Sequence, residues 1–201
     1  MDLTGEYRIA APREAVWRAL NDTDVLRRSI PGCEEIEKLS DTEFTAKVTA
    51  KIGPVSARFG GKVTLSDLDP PNGYRIFGEG QGGAAGFAKG GATVKLAPDE
   101  TGRGTILSYA VQASVGGKIA QIGSRLIDGA SRKLADEFFG RFAAIVAAEA
   151  AAAPGATAAA TPPAEPAPGP SAAAKQASLA PAVWIAGLVV IVIALLLLFG
   201  L

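Results

Sequence analysis

The stretch GKIAQIGSRLIDGASRKLADEFFGRFAAIVAAE, residues 117–149, reads as one long helix. Ile119, Ile122, Leu126, Ile127, Ala130, Leu134, Phe138, Phe142 and Ile145 recur in steps that place them on one stripe of a 3.6-residue period. Gln121, Arg125, Asp128, Arg132 and Asp136 fall on the other side. The spacing allows ion pairs Arg125/Asp128, Asp128/Arg132 and Arg132/Asp136, each worth ~0.2–0.5 kcal/mol. Burial of the stripe, at ~1.5–3 kcal/mol per large side chain, is what makes the helix. A stripe this long needs a partner of matching length, and the hundred residues before it read as strands. The expected architecture is α+β, a curved antiparallel sheet gripping the helix. Gly123 falls on the apolar side, where it reads as close backbone packing against the sheet or as room for a ligand.

Working outward toward the amino terminus, residues 105–115 alternate Leu107, Tyr109, Val111 and Val115 against Ser108, Gln112 and Ser114, a strand with one dry face. Residues 74–81 and 87–96 are further strands, separated by Gly82-Gly83-Ala84-Ala85. Residues 44–52 and 55–66 alternate across the turn Gly53-Pro54, and Gly60-Gly61 reads as a bulge that lets the sheet curl. A weaker strand covers residues 34–40, and Leu3 to Ile9 forms the first. Between these lie two short helices, one opened by Pro12 and carrying Val16, Ala19 and Leu20, the other capped by Asp22 and carrying Val25, Leu26 and Ile30. The predicted order is strand, two short helices, six strands, long helix.

Lys+Arg and Asp+Glu both number 20, so the formal net charge is zero. With no basic run, electrostatic nucleic-acid binding and a polybasic membrane patch are not expected. Histidine is absent, which removes the commonest metal ligand and the commonest general base. Cys33 is the single cysteine and has no internal disulfide partner. Met1-Asp2-Leu3-Thr4-Gly5 has neither the basic nor the apolar part of a signal peptide.

Three units follow from composition: a domain over residues 1–150, an Ala/Pro-rich linker over 151–181, and an apolar tail over 182–201. The tail has no charge, and twenty helical residues match the ~30 Å hydrocarbon core, so it reads as a transmembrane anchor. Trp184 sits at one end, where an indole suits the headgroup boundary. The one nearby charge, Lys175, precedes the tail and places the domain in the cytoplasm, against the cell membrane.

Most candidate chemistry lacks its context. Gly78-Glu79-Gly80-Gln81-Gly82-Gly83 fits a dinucleotide fingerprint, but no helix pattern opens after it. Cys33 has no adjacent base or cation to form a thiolate, so it reads as a small buried apolar residue. Glu34, Glu35 and Glu37 read as a solvated strand edge. What remains is shape. Inward Ala46, Ala50, Ala57, Gly61, Gly78 and Gly80 interleave with Phe44, Phe59, Phe87 and Tyr109. Composition is equally compatible with an apolar pocket for a lipophilic ligand and with a filled core.

Pro12-Arg13-Glu14-Ala15-Val16-Trp17, Ile30-Pro31-Gly32-Cys33 and residues 117–123 with Phe138-Phe139 resemble the carbon monoxide dehydrogenase G-subunit family over about residues 1–148. The resemblance implies a helix-grip (START/Bet v 1-like, polyketide-cyclase superfamily) fold. It further implies a non-catalytic accessory protein beside a molybdenum hydroxylase of the carbon monoxide dehydrogenase type, helping to hold that enzyme at the membrane and pass electrons to quinone. No catalytic or metal residues carry over, and no covalent cofactor is expected. The cavity-lining positions expected are Leu26, Ile30, Phe44, Val48, Phe59, Val63, Ile76, Phe87, Leu107, Tyr109, Ile122 and Leu126. Two alternatives stand beside a quinone-binding carrier: a cyclase or hydrolase using Tyr109 or Arg58, and a membrane adaptor with no ligand.

Overall fold

A computed structural model describes residues 2–52 and 55–152. The expected linker lies beyond Ala152, apart from its first two residues, and with the expected anchor it falls outside the described residues. Among the described residues no helix is long and apolar enough to cross a membrane.

Seven strands form one antiparallel sheet: β1 (Asp2–Ile9), β2 (Cys33–Lys38), β3 (Glu43–Ile52), β4 (Val55–Asp69), β5 (Gly73–Gln81), β6 (Phe87–Pro98) and β7 (Thr105–Gly116). Their spatial order is β1-β7-β6-β5-β4-β3-β2. Two short helices, α1 (Arg13–Ala19) and α2 (Thr23–Ser29), join β1 to β2, and the long helix α3 (Ser124–Ala152) follows β7. The predicted element order is observed. Alternation decides which face is dry: in β3, Phe44, Ala46, Val48, Ala50 and Ile52 are all buried while Lys47, Thr49 and Lys51 are exposed. Asp22 caps α2, its Oδ1 accepting from the Asp24 and Val25 amides at 2.8 and 3.1 Å.

Three local expectations are corrected. First, Gly60-Gly61 is not a bulge, since the register of β4 on β3 runs unbroken through Lys47↔Gly60 and Ala46↔Gly61. The irregularities lie between Cys33 and Glu35, and between Ser66 and Asp69, where Asp67 has φ +49°. Second, α3 starts at Ser124, not at residue 117. Lys118–Ile122 is a 3₁₀ turn, and Gly123 at φ +93° joins it to the helix. A Cβ on Gly123 would meet nothing within 4 Å. It is a backbone joint, neither packed against the sheet nor inside the helix.

Third, the buried stripe is rotated from the expected one. It comprises Ile127, Ser131, Ala135, Phe138, Phe139, Phe142 and Val146, with Ala130, Leu134 and Ile145 half-buried, whereas Leu126 is 56% exposed. Ser131 is tolerated there because its hydroxyl donates to the Ile127 carbonyl at 2.6 Å. Among the described residues the ion pairs within α3 are Lys133–Glu137 and Arg141–Glu137 rather than the three predicted. Asp136 is used differently, accepting a hydrogen bond from Tyr7.

The β6–β7 turn is built on Asp99. Its Oδ1 accepts from the amides of Thr101 and Gly104 and from the Thr101 hydroxyl, and its Oδ2 from Arg8 of β1 at 2.7 Å. The Thr101 and Gly104 donors and the Arg8 guanidinium hold this carboxyl well below the usual range.

Candidate functional site

The curved sheet and α3 enclose an apolar interior. Leu26 of α2, Phe44 and Val48 of β3, Phe59 and Val63 of β4, Ile76 of β5 and Leu107 of β7 are all buried in one cluster, with Ile30 after α2. Tyr109 joins them. These nine expected positions are brought together.

Two others, Phe87 and Leu126, are not, and Ile122 packs against the cluster only partly buried. The sequence places Phe87 inward, but the inward row of β6 is Ala88, Gly90, Ala92, Val94 and Leu96. Phe87 therefore has the outward parity, is 42% exposed, and lays its ring over Gly116 of β7. Leu126 is exposed in the first turn of α3, and Ile122 is only partly buried in the 3₁₀ turn before it. All three sit where β6 begins and β7 passes into α3.

The same parity adds Ala88, Gly90, Ala92 and Ala113, which the sequence reading misses, to the small inward residues Gly61, Gly78 and Gly80 that it marks. Gly61 of β4, Gly80 of β5 and Ala88 of β6 are register partners, as are Gly78, Gly90 of β6 and Ala113 of β7. Gly78, Gly80, Ala88, Ala92 and Ala113 are buried. Inward small side chains thus run across four neighbouring strands. The signal is present in the alternation of residues 88–96 once Phe87 is set outward.

Polar groups reach this interior mainly at one edge. Tyr7 of β1 stacks on Phe139 of α3 with ring centroids 4.1 Å apart, and Tyr109 stacks on Phe139 at 5.4 Å. The Tyr7 hydroxyl donates to Asp136 Oδ1 at 2.5 Å. Burial first, then the Asp136 hydrogen bond, hold the Tyr7 phenol well above its ordinary range, and burial raises Tyr109 as well. Tyr109 reaches toward β1, its ring lying against Gly5, where a Cβ would collide with it. Buried Ser29, Thr105 and Ser131 each donate a hydroxyl to a backbone carbonyl.

The remaining candidates lie elsewhere. Arg58 points out of the sheet and pairs with Glu34 at 2.8 Å, so the cavity role considered for it is corrected. Glu34 also accepts from Thr49 and Glu35 pairs with Lys47, and these donors lower both carboxyls below their ordinary range. Burial raises the Cys33 thiol, away from a reactive thiolate. After Gln81 comes only the 3₁₀ turn Gly83–Ala85, so no helix N-terminus meets the Gly78–Gly83 run. Among the described residues no group of three or more His, Cys, Asp or Glu is placed to hold a metal ion.

The profile of the family described as the G subunit (CoxG) of carbon monoxide dehydrogenase matches residues 5–147. A conserved protein from Geobacillus kaustophilus superposes with TM-score 0.70 at 28% identity, covering 74% of this chain and 97% of that one. A START superfamily protein from Mycobacterium smegmatis gives TM-score 0.52 at 15% identity over 75% of this chain and 97% of that one. The Zhui aromatase/cyclase from a Streptomyces species gives 0.51 at 12% over 73% and 93%. These likenesses establish a START-like fold. No curated protein matches the chain in sequence.

Proposed function

The chain belongs to the carbon monoxide dehydrogenase G-subunit (CoxG) family, and on that premise we propose that it is a ligand-binding accessory protein carrying an isoprenoid quinone between the membrane and a molybdenum hydroxylase. The observation that carries this reading is the tract of buried glycine and alanine across β5 to β7, continued by the half-buried Gly61 of β4. Small side chains on a sheet that curves round a helix leave the kind of apolar space a ring with a greasy tail can occupy. The apolar run 182–201 would keep the domain beside the lipid from which such a guest comes, with the domain on the cytoplasmic side. Electrons then reach the bound ring from the partner enzyme, and the protein supplies position rather than chemistry.

The test is direct. Full-length protein is taken from native membranes in mild detergent, and its bound lipids are extracted and identified by mass spectrometry. Quinone in near-equimolar amount is expected. Phospholipid alone, or an empty protein, overturns the carrier reading.

A cyclase-type enzyme is favoured only by the Tyr109 hydroxyl inside the fold. Turnover of a polyketide-like substrate that disappears in Tyr109→Phe would establish it.

A further inference from the structure

We infer that the end of the domain where β6 begins and α3 starts is a seating surface for an anionic lipid bilayer. The inference rests on the membrane-tethered reading above and adds an orientation to it.

The surface is assembled by two short connections and the start of α3. The 3₁₀ turn Gly83–Ala85 packs on the turn Lys118–Ile122, and the latter on α3. The contact between the first two is close: a Cβ on Gly86 would collide with the Gly116 carbonyl oxygen. The tip so formed exposes Phe87 and Leu126, two of the four large hydrophobic side chains exposed among the described residues, with Ile122 half-buried between them along the chain. The other two, Leu39 and Phe77, lie apart, in the β2–β3 turn and within β5. An apolar tip of this kind is costly in water unless something covers it.

Charge says what the cover is. Lys118 lies in the 3₁₀ turn, Arg125 in the first turn of α3, and Lys51 at the end of β3 beside the hairpin to β4. None of these three cations belongs to an ion pair among the described residues. The first turn of α3 contains no acid, and Asp128 is the first along the helix. The turns at the other end of the sheet hold Asp41 and Asp99 in ion pairs with Lys38 and Arg8 and set Glu100 against Arg103, so no excess of unpaired cations gathers there. Aromatic and leucine side chains flanked by unpaired Lys and Arg match a headgroup layer, with each cation near an anionic surface favouring contact about fivefold.

The tether alone cannot choose this end. Roughly thirty residues of Ala- and Pro-rich composition separate Ala152 from the apolar run. Orientation must come from the folded surface, and this end brings the small-residue interior nearest to lipid.

The full-length chain is mixed with vesicles of phosphatidylcholine, with or without one third phosphatidylglycerol, floated, and examined by hydrogen–deuterium exchange. Residues 83–90 and 116–127 should exchange at least about threefold more slowly on the anionic vesicles, and the difference should vanish in high salt. Lys118→Glu with Arg125→Glu, and separately Leu126→Ser, should abolish that protection while flotation persists. Phe77→Ser should leave it intact. Flotation without protection of these segments overturns the inference and spares the anchor. Failure to float on either vesicle overturns both. Protection that appears only when the partner enzyme is added makes the tip a protein-docking surface and overturns the lipid assignment. Protection in a protein whose extracted lipids lack quinone supports the seating surface while the carrier reading fails.

Discussion

Tyr7 of β1 and Asp136 of α3 are 129 positions apart and joined by a 2.5 Å hydrogen bond, with the Tyr7 ring lying flat on the neighbouring Phe139. The pair fastens an edge strand to the helix that roofs the sheet. Tyr7→Phe removes the hydrogen bond and keeps the stack, so chemical denaturation should show a loss of about 1–2 kcal/mol. Tyr7→Ala also removes the ring, and should cost about 3 kcal/mol or more. In the wild type, the ultraviolet signal of tyrosinate from Tyr7 should be absent at pH 10, where a free phenol is half ionised, because burial and Asp136 both oppose its negative charge.

A second prediction uses volume. Ala88 is buried on the inward face of β6, with Gly80 as its register partner. Where space exists, Ala88→Leu fills it, and stability should stay within about 1 kcal/mol of wild type. A tightly filled interior would instead lose about 1–3 kcal/mol to overpacking. Bound lipophile, measured by mass spectrometry of the purified protein, should fall at least about tenfold in Ala88→Leu, a difference of ~1.4 kcal/mol. Ala50→Trp on β3 should act in the same direction. An adaptor with no guest would show electron transfer unchanged in both variants.

What the sequence reveals depends on the signal each element gives. The element order and the dry face of β3 are legible because alternation is strict there and Asp22 and Pro12 punctuate the helices. The start of α3 is not legible. Ile119 and Ile122 keep the helical spacing, and only the positive φ of Gly123 separates the 3₁₀ turn from the helix, which periodicity does not encode. Phe87 misleads because a large aromatic outweighs parity at the first residue of a strand. Setting it outward exposes Ala88 and Ala92 as inward residues of β6, while Ala113 follows from the alternation already read in β7. Tyr7 and Asp136 are each visible, but a pairing across 129 positions is a tertiary fact.

Gly86 supplies a third prediction. Its φ is +118°, and a side chain there would press on the Gly116 carbonyl oxygen, so strain and clash act together. Gly86→Ala should destabilise by about 2 kcal/mol or more, read by denaturation. It should also loosen the tip selectively, so hydrogen exchange should rise first in residues 83–90 and 116–123, ahead of β3.

Acid sensitivity gives the last. Asp99 is ionised in the fold far below the pH at which a free aspartate is protonated, because Thr101, Gly104 and Arg8 all donate to it. A depressed folded pKa adds stability that is complete above the unfolded value, near pH 4, and is lost as pH falls from there through the folded value. Melting temperature in the wild type should therefore drop steeply below about pH 4. Asp99→Asn keeps the shape and removes the charge, so its melting point should lie below wild type at pH 7 and change less on acidification, the two curves converging at low pH. Parallel curves would mean that other carboxylates, such as Glu34 and Glu35 with their lowered values, govern the acid limb. Convergence would assign it to the turn that ties β6 and β7 to Arg8 of β1.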